Sequence, residues 1–168
     1  YYKRWAENWE FQALLKARPI AGSAHLGEKY ARAIEPFVWE SAARDSFVES
    51  VQAMRARVTD NIPAAQLERQ IKLGPGGLRD VEFTVQLLQL VHGRTDPAVR
   101  TKSTLDSLAA LTRASYISRA DTEAFSRDYK KLRLLEHRIQ LMHLRRTHLM
   151  PDRAGEQRAL ARSLVPAE

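Results

Sequence analysis

The segment Gly74-Pro-Gly-Gly-Leu-Arg-Asp-Val-Glu-Phe-Thr-Val-Gln-Leu-Leu-Gln-Leu-Val-His92 decides the fold. From Leu78 onward, its apolar residues cover nearly the whole circumference of a 3.6-residue helix. A helix that is apolar on all sides is buried between other helices. Residues 78–92 are therefore predicted to form the buried central helix of the domain. Gly93 is predicted to end this helix as a C′ glycine.

Helical periodicity also runs along most of the chain on either side of this segment. The first helix is predicted to bury Tyr2, Trp5 and Trp9 on one face. A shorter helix is predicted over residues 24 to about 34, with a break or tight bend near Pro36, because proline removes a backbone donor.

Two capping signals place further helices. Ser46 is a predicted N-cap with Glu49 at the capping-box position, and Ser118 is predicted to cap a long helix over residues 119–149. Within residues 66–73, Ile71 and Leu73 alternate with charge, so a short extended segment is possible and is the only strand candidate. The expected fold class is all-α, a bundle of about six to seven helices.

The composition restricts the class of protein. The chain has 27 Lys and Arg against 20 Asp and Glu, a net charge of +7, and no cysteine. A disulfide framework and thiolate metal ligands are thereby excluded, which fits a cytoplasmic protein. No apolar run is long enough to span a membrane. The basic excess indicates either an anionic partner or an ordinary solvated surface rich in arginine.

The glycine turn before the central helix is the strongest candidate for a site. Glycine permits positive φ and close approach of backbone, and a helix start presents N–H groups and partial positive charge to an anion. Lys72 and Arg79 flank the turn, while Asp80 and Glu82 lie in the first helical turn. The acids could bind a metal or pair with Arg79. A purely structural turn remains the alternative, because the spacing is neither a P-loop nor a dinucleotide fingerprint.

Two other segments contain residue types that can bind phosphate or a metal. Lys16 and Arg18 precede a proline at a helix end, where cations suit phosphate contact but also suit the helix dipole. Histidines 137, 143 and 148 are separated by six and five residues, which is not the i, i+4 geometry of helical zinc ligands. We therefore expect no metal site in the chain.

Three runs of the sequence resemble those of bacterial glutamine synthetase adenylyltransferase, also called the adenylyl-removing enzyme: Lys16-Ala-Arg-Pro-Ile-Ala-Gly22, Ile71-Lys-Leu-Gly-Pro-Gly-Gly-Leu-Arg-Asp-Val-Glu-Phe83 and Leu135-Glu-His-Arg-Ile-Gln140. Their order and separation match as well, and the likeness covers essentially the whole chain. The second run, followed by Leu90-Val-His-Gly-Arg94, is similar to the N-terminal, deadenylylating half of that family.

The resemblance implies two nucleotidyltransferase halves, each a mixed α/β core followed by a helical domain. One half adds AMP from ATP to a tyrosine of glutamine synthetase, and the other removes it by phosphorolysis and releases ADP. Mg²⁺ is required, and PII signalling proteins and glutamine regulate the balance. The chain lacks the core strands and their metal-binding aspartates, so no catalytic residue is expected within it and the fragment alone is expected to be inactive.

In this framework residues 1–22 are expected to complete, or to link from, an upstream nucleotidyltransferase core, and residues 23–168 form the helical domain. The residues expected to contact nucleotide or phosphate are Lys16, Arg18, Lys72, Gly76, Gly77 and Arg79. Asp80 and Glu82 are expected to order the loop or to face the cleft.

Two alternatives stand beside this interpretation. The helices could dock glutamine synthetase or a PII protein without touching nucleotide. A helical nucleic-acid binder would explain the positive charge, but the chain has neither helix-turn-helix spacing nor a concentrated basic helix.

Overall fold

The computed structural model of the chain describes residues 1–164, apart from the side chain of His143. The terminal segment Val165-Pro-Ala-Glu168 lies outside these residues. The described part contains seven α-helices: α1 (Asn8–Leu14), α2 (Ala24–Glu40), α3 (Phe47–Asp60), α4 (Leu78–Gly93), α5 (Thr104–Arg113), α6 (Arg119–His143) and α7 (Ala154–Leu164).

The all-α prediction is confirmed. Short 3₁₀ segments occur at Ser41–Ala43, Ala64–Arg69 and Pro97–Val99, and within residues 1–164 the only β feature is an isolated antiparallel bridge between Gln70 and Leu149. The strand candidate at residues 66–73 is thus mostly a 3₁₀ turn, with one bridging residue. In the same part of the chain, no helix is both long and apolar enough to cross a membrane.

The helices belong to two compact units. Unit 1 consists of Tyr1–Arg55 and Phe83–Thr122, and unit 2 consists of residues 56–82 and 123–168. The divisions fall within α3, α4 and α6. Each unit is described separately below.

Unit 1 is built around a cluster of buried apolar side chains contributed by α2, α3, α4 and the residue after α1: Leu15, Val38, Trp39, Phe47, Val51 and Leu90. Burial of such side chains is the main favourable term in folding. A buried amide also contributes: Gln89 Nε2 donates to the carbonyl oxygens of Val99 and Thr101 at 2.7 and 2.9 Å. The loop between α4 and α5 is therefore fixed from inside the unit.

The prediction of a helix from the first residue, with Trp5 and Trp9 buried, is wrong. Residues 1–5 form a separate turn, and both tryptophans are exposed. The carbonyl oxygen of Ala6 accepts from Arg44 Nη1 at 2.6 Å, and the N–H of Glu7 donates to the Glu10 carboxylate at 2.8 Å. These contacts take the groups that a continuous helix would use, so α1 begins only at Asn8.

The predicted break near Pro36 is also wrong, because α2 runs unbroken from Ala24 to Glu40 with Pro36 inside it. A proline leaves the carbonyl of residue i−4 without its helical donor. That residue is Arg32, and both Arg32 and Pro36 lie on the exposed side of α2. Water can therefore satisfy the carbonyl, and the helix continues.

The buried central helix is confirmed. Along α4 only Val91 is exposed, although the buried side chains include Glu82, Gln86 and Gln89 as well as apolar residues. Gly93, however, is not a C′ glycine, since it lies inside α4 and has no positive φ. A Cβ at this position would lie 2.6 Å from Cζ3 of Trp39. The glycine therefore allows close packing of α4 against the Trp39 ring.

The capping signals correctly mark where α3 and α6 begin. Ser118 Oγ accepts the N–H of Asp121 at 3.0 Å and donates to its carboxylate at 2.6 Å. Ser46 precedes α3, but with a φ of 51° rather than the extended conformation usual for an N-cap. The start of a helix was therefore easier to predict than its cap geometry.

The predicted end of the long helix at residue 149 is wrong. α6 stops at His143, because Leu144 takes a left-handed φ of 49° and the N–H of Arg145 donates to the carbonyl of Gln140 at 3.3 Å. This is the bonding pattern of a Schellman C-cap, normally built on glycine. Residues 148–150 are then released to pair with residues 69–71 through the Ile71–His148 and Met150–Arg69 backbone bonds of 3.1 and 2.8 Å.

Replacement of Gly93 by alanine is expected to destabilise the chain by about 1–3 kcal/mol, because the new methyl group overlaps the buried Trp39 ring. The matched control is Gly155→Ala in α7, where a Cβ would meet nothing within 4 Å. Helix propensity alone should make that change neutral or stabilising by up to about 1 kcal/mol. Denaturant unfolding of both variants provides the measurement. Equal effects of the two substitutions would contradict the packing role of Gly93.

Candidate functional site

The glycine turn in unit 2 is a tightly packed backbone structure. Gly76 has a φ of 71°, which other residues rarely adopt. A Cβ on Gly74 would lie 2.5 Å from the carbonyl oxygen of Gln70, and a Cβ on Gly77 would lie 2.7 Å from that of Ile71. Contacts within the chain, or the backbone conformation itself, therefore explain why glycine occupies each of these three positions.

The N–H groups at the start of α4 already have partners. Those of residues 77–80 donate over 2.9–3.1 Å to the carbonyl oxygens of Gly74, Ile71, Lys72 and Gly77. The N–H of Gly76 donates to Asp80 Oδ2 at 2.6 Å. Asp80 therefore orders the turn. An anion bound here would have to be held by side chains, because these N–H groups are engaged.

Glu136 of α6 is the centre of the charged groups in unit 2. Its residue exposure is only 2%. Lys72 Nζ lies 3.0 Å from Oε1, and Arg133 Nη1 donates to Oε2 at 2.8 Å. His148 Nδ1 lies 2.9 Å from Oε1. A carboxylate this deeply buried requires such partners, because an unpaired buried charge is strongly unfavourable.

Glu82 of α4 is a second buried carboxylate in the same unit. Arg79 Nη1 donates to its Oε2 at 3.2 Å, Tyr129 donates its hydroxyl to Oε1 at 3.3 Å, and Arg133 Nη2 lies 3.6 Å from Oε1. Arg133 thus contacts both carboxylates. We call the set the ion cluster: Lys72, Arg79, Glu82, Tyr129, Arg133, Glu136 and His148.

Burial and pairing shift two pKa values in the ion cluster. Burial raises the pKa of the Glu136 carboxyl, but the contacts with Lys72 and Arg133 lower it by more, so its pKa lies below its ordinary value. Burial and the nearby charge of Lys72 lower the pKa of His148, and Glu136 only partly offsets them. Near neutral pH the cluster therefore holds ionised Glu136 beside neutral His148.

The ion cluster carries three permanent cations against two carboxylates. The side chains of Arg79 and Arg133 are 40% and 37% exposed, whereas that of Lys72 is 19% exposed. An anion approaching unit 2 would therefore meet the two guanidinium groups first. Lys72 is held inward by Glu136, so it is better placed to position the turn than to bind a ligand directly.

A shallow groove of ≈ 410 Å³ lies beside the turn. Its lining consists of Leu67, Glu68, Gln70, Ile71, Pro75, Gly76, Gly77 and Leu132. Among the described residues of this lining there is no cation, and Glu68 is the one charged side chain. The groove is therefore not itself an anion site.

The other two cations predicted to contact nucleotide belong to unit 1. Lys16 Nζ donates to Thr104 Oγ1 at 2.6 Å, and Arg18 is exposed. Lys16 and Arg18 therefore form a separate candidate set. Among the described residues, no group of three or more His, Asp and Glu side chains is arranged to hold a metal ion.

Sequence reasoning missed four members of the ion cluster: Tyr129, Arg133, Glu136 and His148. One signal was available for Glu136. It lies seven residues after Tyr129 and three before Ile139, so helical periodicity places its carboxylate on the same face of α6 as these two largely apolar side chains. A charged residue at such a position indicates a buried ion pair.

Replacement of Glu136 by glutamine is expected to destabilise the chain by about 2–3 kcal/mol at pH 7, since Lys72 and Arg133 lose their buried counter-charge. The pKa of Glu136 is depressed in the folded state, so its contribution is complete above about pH 4.3 and is lost as pH falls through the folded-state pKa. The difference from wild type should therefore shrink toward pH 3 in urea unfolding. Glu123→Gln, at an exposed position of α6, is the matched control and should have little effect.

Comparison with known proteins places these observations in a family. Residues 46–166 match the family model described as GlnD PII-uridylyltransferase, and residues 1–33 match the one described as Glutamate-ammonia ligase adenylyltransferase. The relatives found are bifunctional glutamine synthetase adenylyltransferase/adenylyl-removing enzymes. The protein from Leifsonia xyli subsp. xyli is 67% identical over 163 residues, and that from Streptomyces avermitilis is 59% identical over 164 residues.

These alignments cover 97% and 98% of the chain but only 16% of each relative. The protein from Mycobacterium tuberculosis gives the same result, with 57% identity over 97% of the chain and 17% of the relative. The chain therefore spans about one sixth of the length of the relatives it matches. It belongs to the family matched by the GlnD PII-uridylyltransferase model, and it corresponds to one segment of the bifunctional glutamine synthetase adenylyltransferase/adenylyl-removing enzymes.

Proposed function

We propose that this chain is the helical accessory domain of an enzyme that adds AMP to, or phosphorolytically removes AMP from, a tyrosine of glutamine synthetase. The observation that carries the proposal is the 67% identity to a bifunctional relative over 97% of the chain. Residues 1–22 would complete or link from a nucleotidyltransferase core, and the N-terminal, deadenylylating half is the half proposed. The enzyme would act in the cytoplasm.

The proposed chemistry needs Mg²⁺ and a nucleotide, ATP or ADP. The acids of this chain do not fit a Mg²⁺ site, because Asp80 accepts the Gly76 N–H and Glu82 is engaged by Arg79, Arg133 and Tyr129. Mg²⁺ prefers several carboxylate and water oxygens around it. The metal-binding carboxylates are therefore assigned to the core of the longer enzyme.

The role proposed for the ion cluster is to hold phosphate at the edge of that core. Arg79 and Arg133 offer partly exposed guanidinium groups, which recognise phosphate oxygens through paired hydrogen bonds. Lys72, Gly76 and Gly77 belong to the same turn, and Asp80 and Glu82 hold it in shape. Lys16 and Arg18 of unit 1 are proposed as a second, separate contact for nucleotide phosphate.

Replacement of Arg79 by alanine in the enzyme containing this chain is expected to lower the rate of phosphorolysis about tenfold or more and to raise the phosphate concentration needed for half-maximal rate, because one charged contact to phosphate is lost. Arg158→Ala, at an exposed position of α7, is the matched control. In the same assay series, Lys16→Ala/Arg18→Ala should weaken ADP binding. Wild-type turnover and phosphate dependence in the Arg79 variant would refute the role of the turn. Wild-type ADP affinity in the double variant would refute the second contact.

A specific surface of unit 2 favours a second function, the docking of a protein partner. Leu141 and Leu144 are 62% and 87% exposed, and they line a groove of ≈ 570 Å³ together with His137, Arg145 and Arg146. Leu144 adopts its left-handed φ of 49° at the end of α6. Leucine in that conformation costs about 1–2 kcal/mol relative to a relaxed backbone, and its exposed side chain gains no burial within unit 2 to offset that cost.

We infer that glutamine synthetase is the occupant of this surface, through acidic residues placed around an apolar contact. The support is charge complementarity: the described residues of the lining are two arginines and a histidine beside uncharged glutamine and leucine side chains. The relatives carry the name of this substrate in their own names. A PII protein is the alternative partner, and a comparison of the two proteins in one binding assay decides between them.

Replacement of Leu144 by glycine separates docking from folding. Glycine relieves the left-handed strain, so thermal stability should stay the same or rise by about 1 kcal/mol. Loss of the exposed side chain should weaken binding to glutamine synthetase about tenfold, as truncation of an interface anchor does. Leu26→Ala, another exposed leucine, is the control and should bind normally. Unchanged affinity of the Leu144 variant for glutamine synthetase would exclude this surface, and a loss confined to PII would assign the surface to PII.

A further inference from the structure

A groove in unit 1, separate in sequence and unit from the ion cluster, has the composition of a small-molecule site. Its volume is ≈ 230 Å³. Its floor consists of buried apolar side chains, Leu15, Ile34, Val38 and Trp39. Ala17, which lies between the candidate phosphate contacts Lys16 and Arg18, is also among its lining residues. Ligand sites typically combine such an apolar floor with a few convergent polar groups.

Arg100 supplies a rigid polar wall of this groove. Its Nε donates to the carbonyl of Gly93 at 2.7 Å, Nη1 contacts Glu35 at 3.3 Å, and the guanidinium lies 4.9 Å from the Trp39 ring centre. Nη2 also donates to the carbonyl oxygen of Arg94 at 3.4 Å, so three of the five N–H donors are engaged and two remain for a ligand. The backbone next to it is fixed as well, because the Thr101 carbonyl accepts from the buried Gln89.

Lys102 and Arg32 complete the positive side of the groove. Within residues 1–164 the Lys102 ammonium has neither a hydrogen bond nor an ion pair, although Glu35 attracts it. Surrounding protein atoms lower the pKa of Lys102 by desolvation. Arg32 makes only a long, exposed contact of 4.0 Å with Glu28. Three cations thus face one carboxylate, and Glu35 is already paired with Arg100.

We propose that this groove binds a small organic anion, with a flat apolar body on the Trp39 side and its anionic group at Lys102 and Arg100. The groove is smaller than the roughly 300–1,000 Å³ usual for drug-sized ligands, so the ligand is smaller than a nucleotide. A carboxylate and a phosphate ester share the required chemistry. The site shares no residue with the ion cluster, and Lys16 and Arg18, proposed above to contact nucleotide phosphate, are not among its lining residues.

The test uses the ¹⁵N-labelled 168-residue chain and three probes of similar body: benzoate, phenyl phosphate and benzyl alcohol. Titration is followed by the amide signals of Thr101 and Lys102 and by the indole N–H signal of Trp39. We expect benzoate or phenyl phosphate to shift these signals and benzyl alcohol to bind at least fivefold more weakly. The stronger of the two anions identifies the head group that the site prefers.

Two variants locate the binding. Lys102→Gln should weaken anion binding by about five- to tenfold, because a charged hydrogen bond at a partly exposed site is lost. Ala31→Phe, on the wall of the groove, should abolish binding of all three probes by filling the space, with circular dichroism confirming the fold. Lys130→Gln on the exposed side of α6 is the matched control and should bind like wild type.

The proposal would be overturned by any of three results. The first is the absence of shifts at Thr101, Lys102 and Trp39 with both anions. The second is equal affinity for benzyl alcohol and the anions, and the third is an equal loss in the Lys130 and Lys102 variants. None of these results bears on phosphorolysis by the longer enzyme, so the groove and the ion cluster are tested independently.

Discussion

The buried Glu136 carboxylate is the constraint on which unit 2 depends. An ionised group with 2% exposure is tolerated only when its oxygen atoms are paired, and here Lys72 and Arg133 supply the partners, while His148 Nδ1 packs 2.9 Å from Oε1. Lys72 comes from the segment that leads into the glycine turn, and His148 comes from the segment after α6. One carboxylate thereby fixes the positions of two loops and one helix.

The hydrogen bonds within the glycine turn determine which of its groups are available to an anion. A helix start after three glycines has the form of an anion site, yet its N–H groups donate to carbonyls of residues 71–77 and to Asp80. Charge at the turn is therefore carried by side chains, chiefly Arg79 and Arg133. In the proposed enzyme the turn would act as a preformed wall that presents guanidinium groups, rather than as a phosphate cradle made of backbone.

Most of the fold was predictable because it depends on local patterns. The buried α4, the start of α3 and the Ser118 cap of α6 follow from apolar spacing and capping residues. The failures occur where the backbone finds partners or conformations that side-chain periodicity does not encode. Arg44 takes the Ala6 carbonyl and shortens α1, while at the end of α6 a leucine adopts the conformation usually reserved for glycine.

The sequence by itself determined the all-α class, the family and the residues at the glycine turn, because periodicity and motif spacing are properties of neighbouring positions. Only the tertiary structure decided which charges meet. Lys72 and Glu136 are 64 residues apart, and Lys72 was expected to meet a ligand rather than a glutamate. A buried carboxylate such as Glu136 must keep its cation, so Lys72 is held by Glu136 and is not available to a ligand. Which carboxylates are buried is decided only when the helices pack.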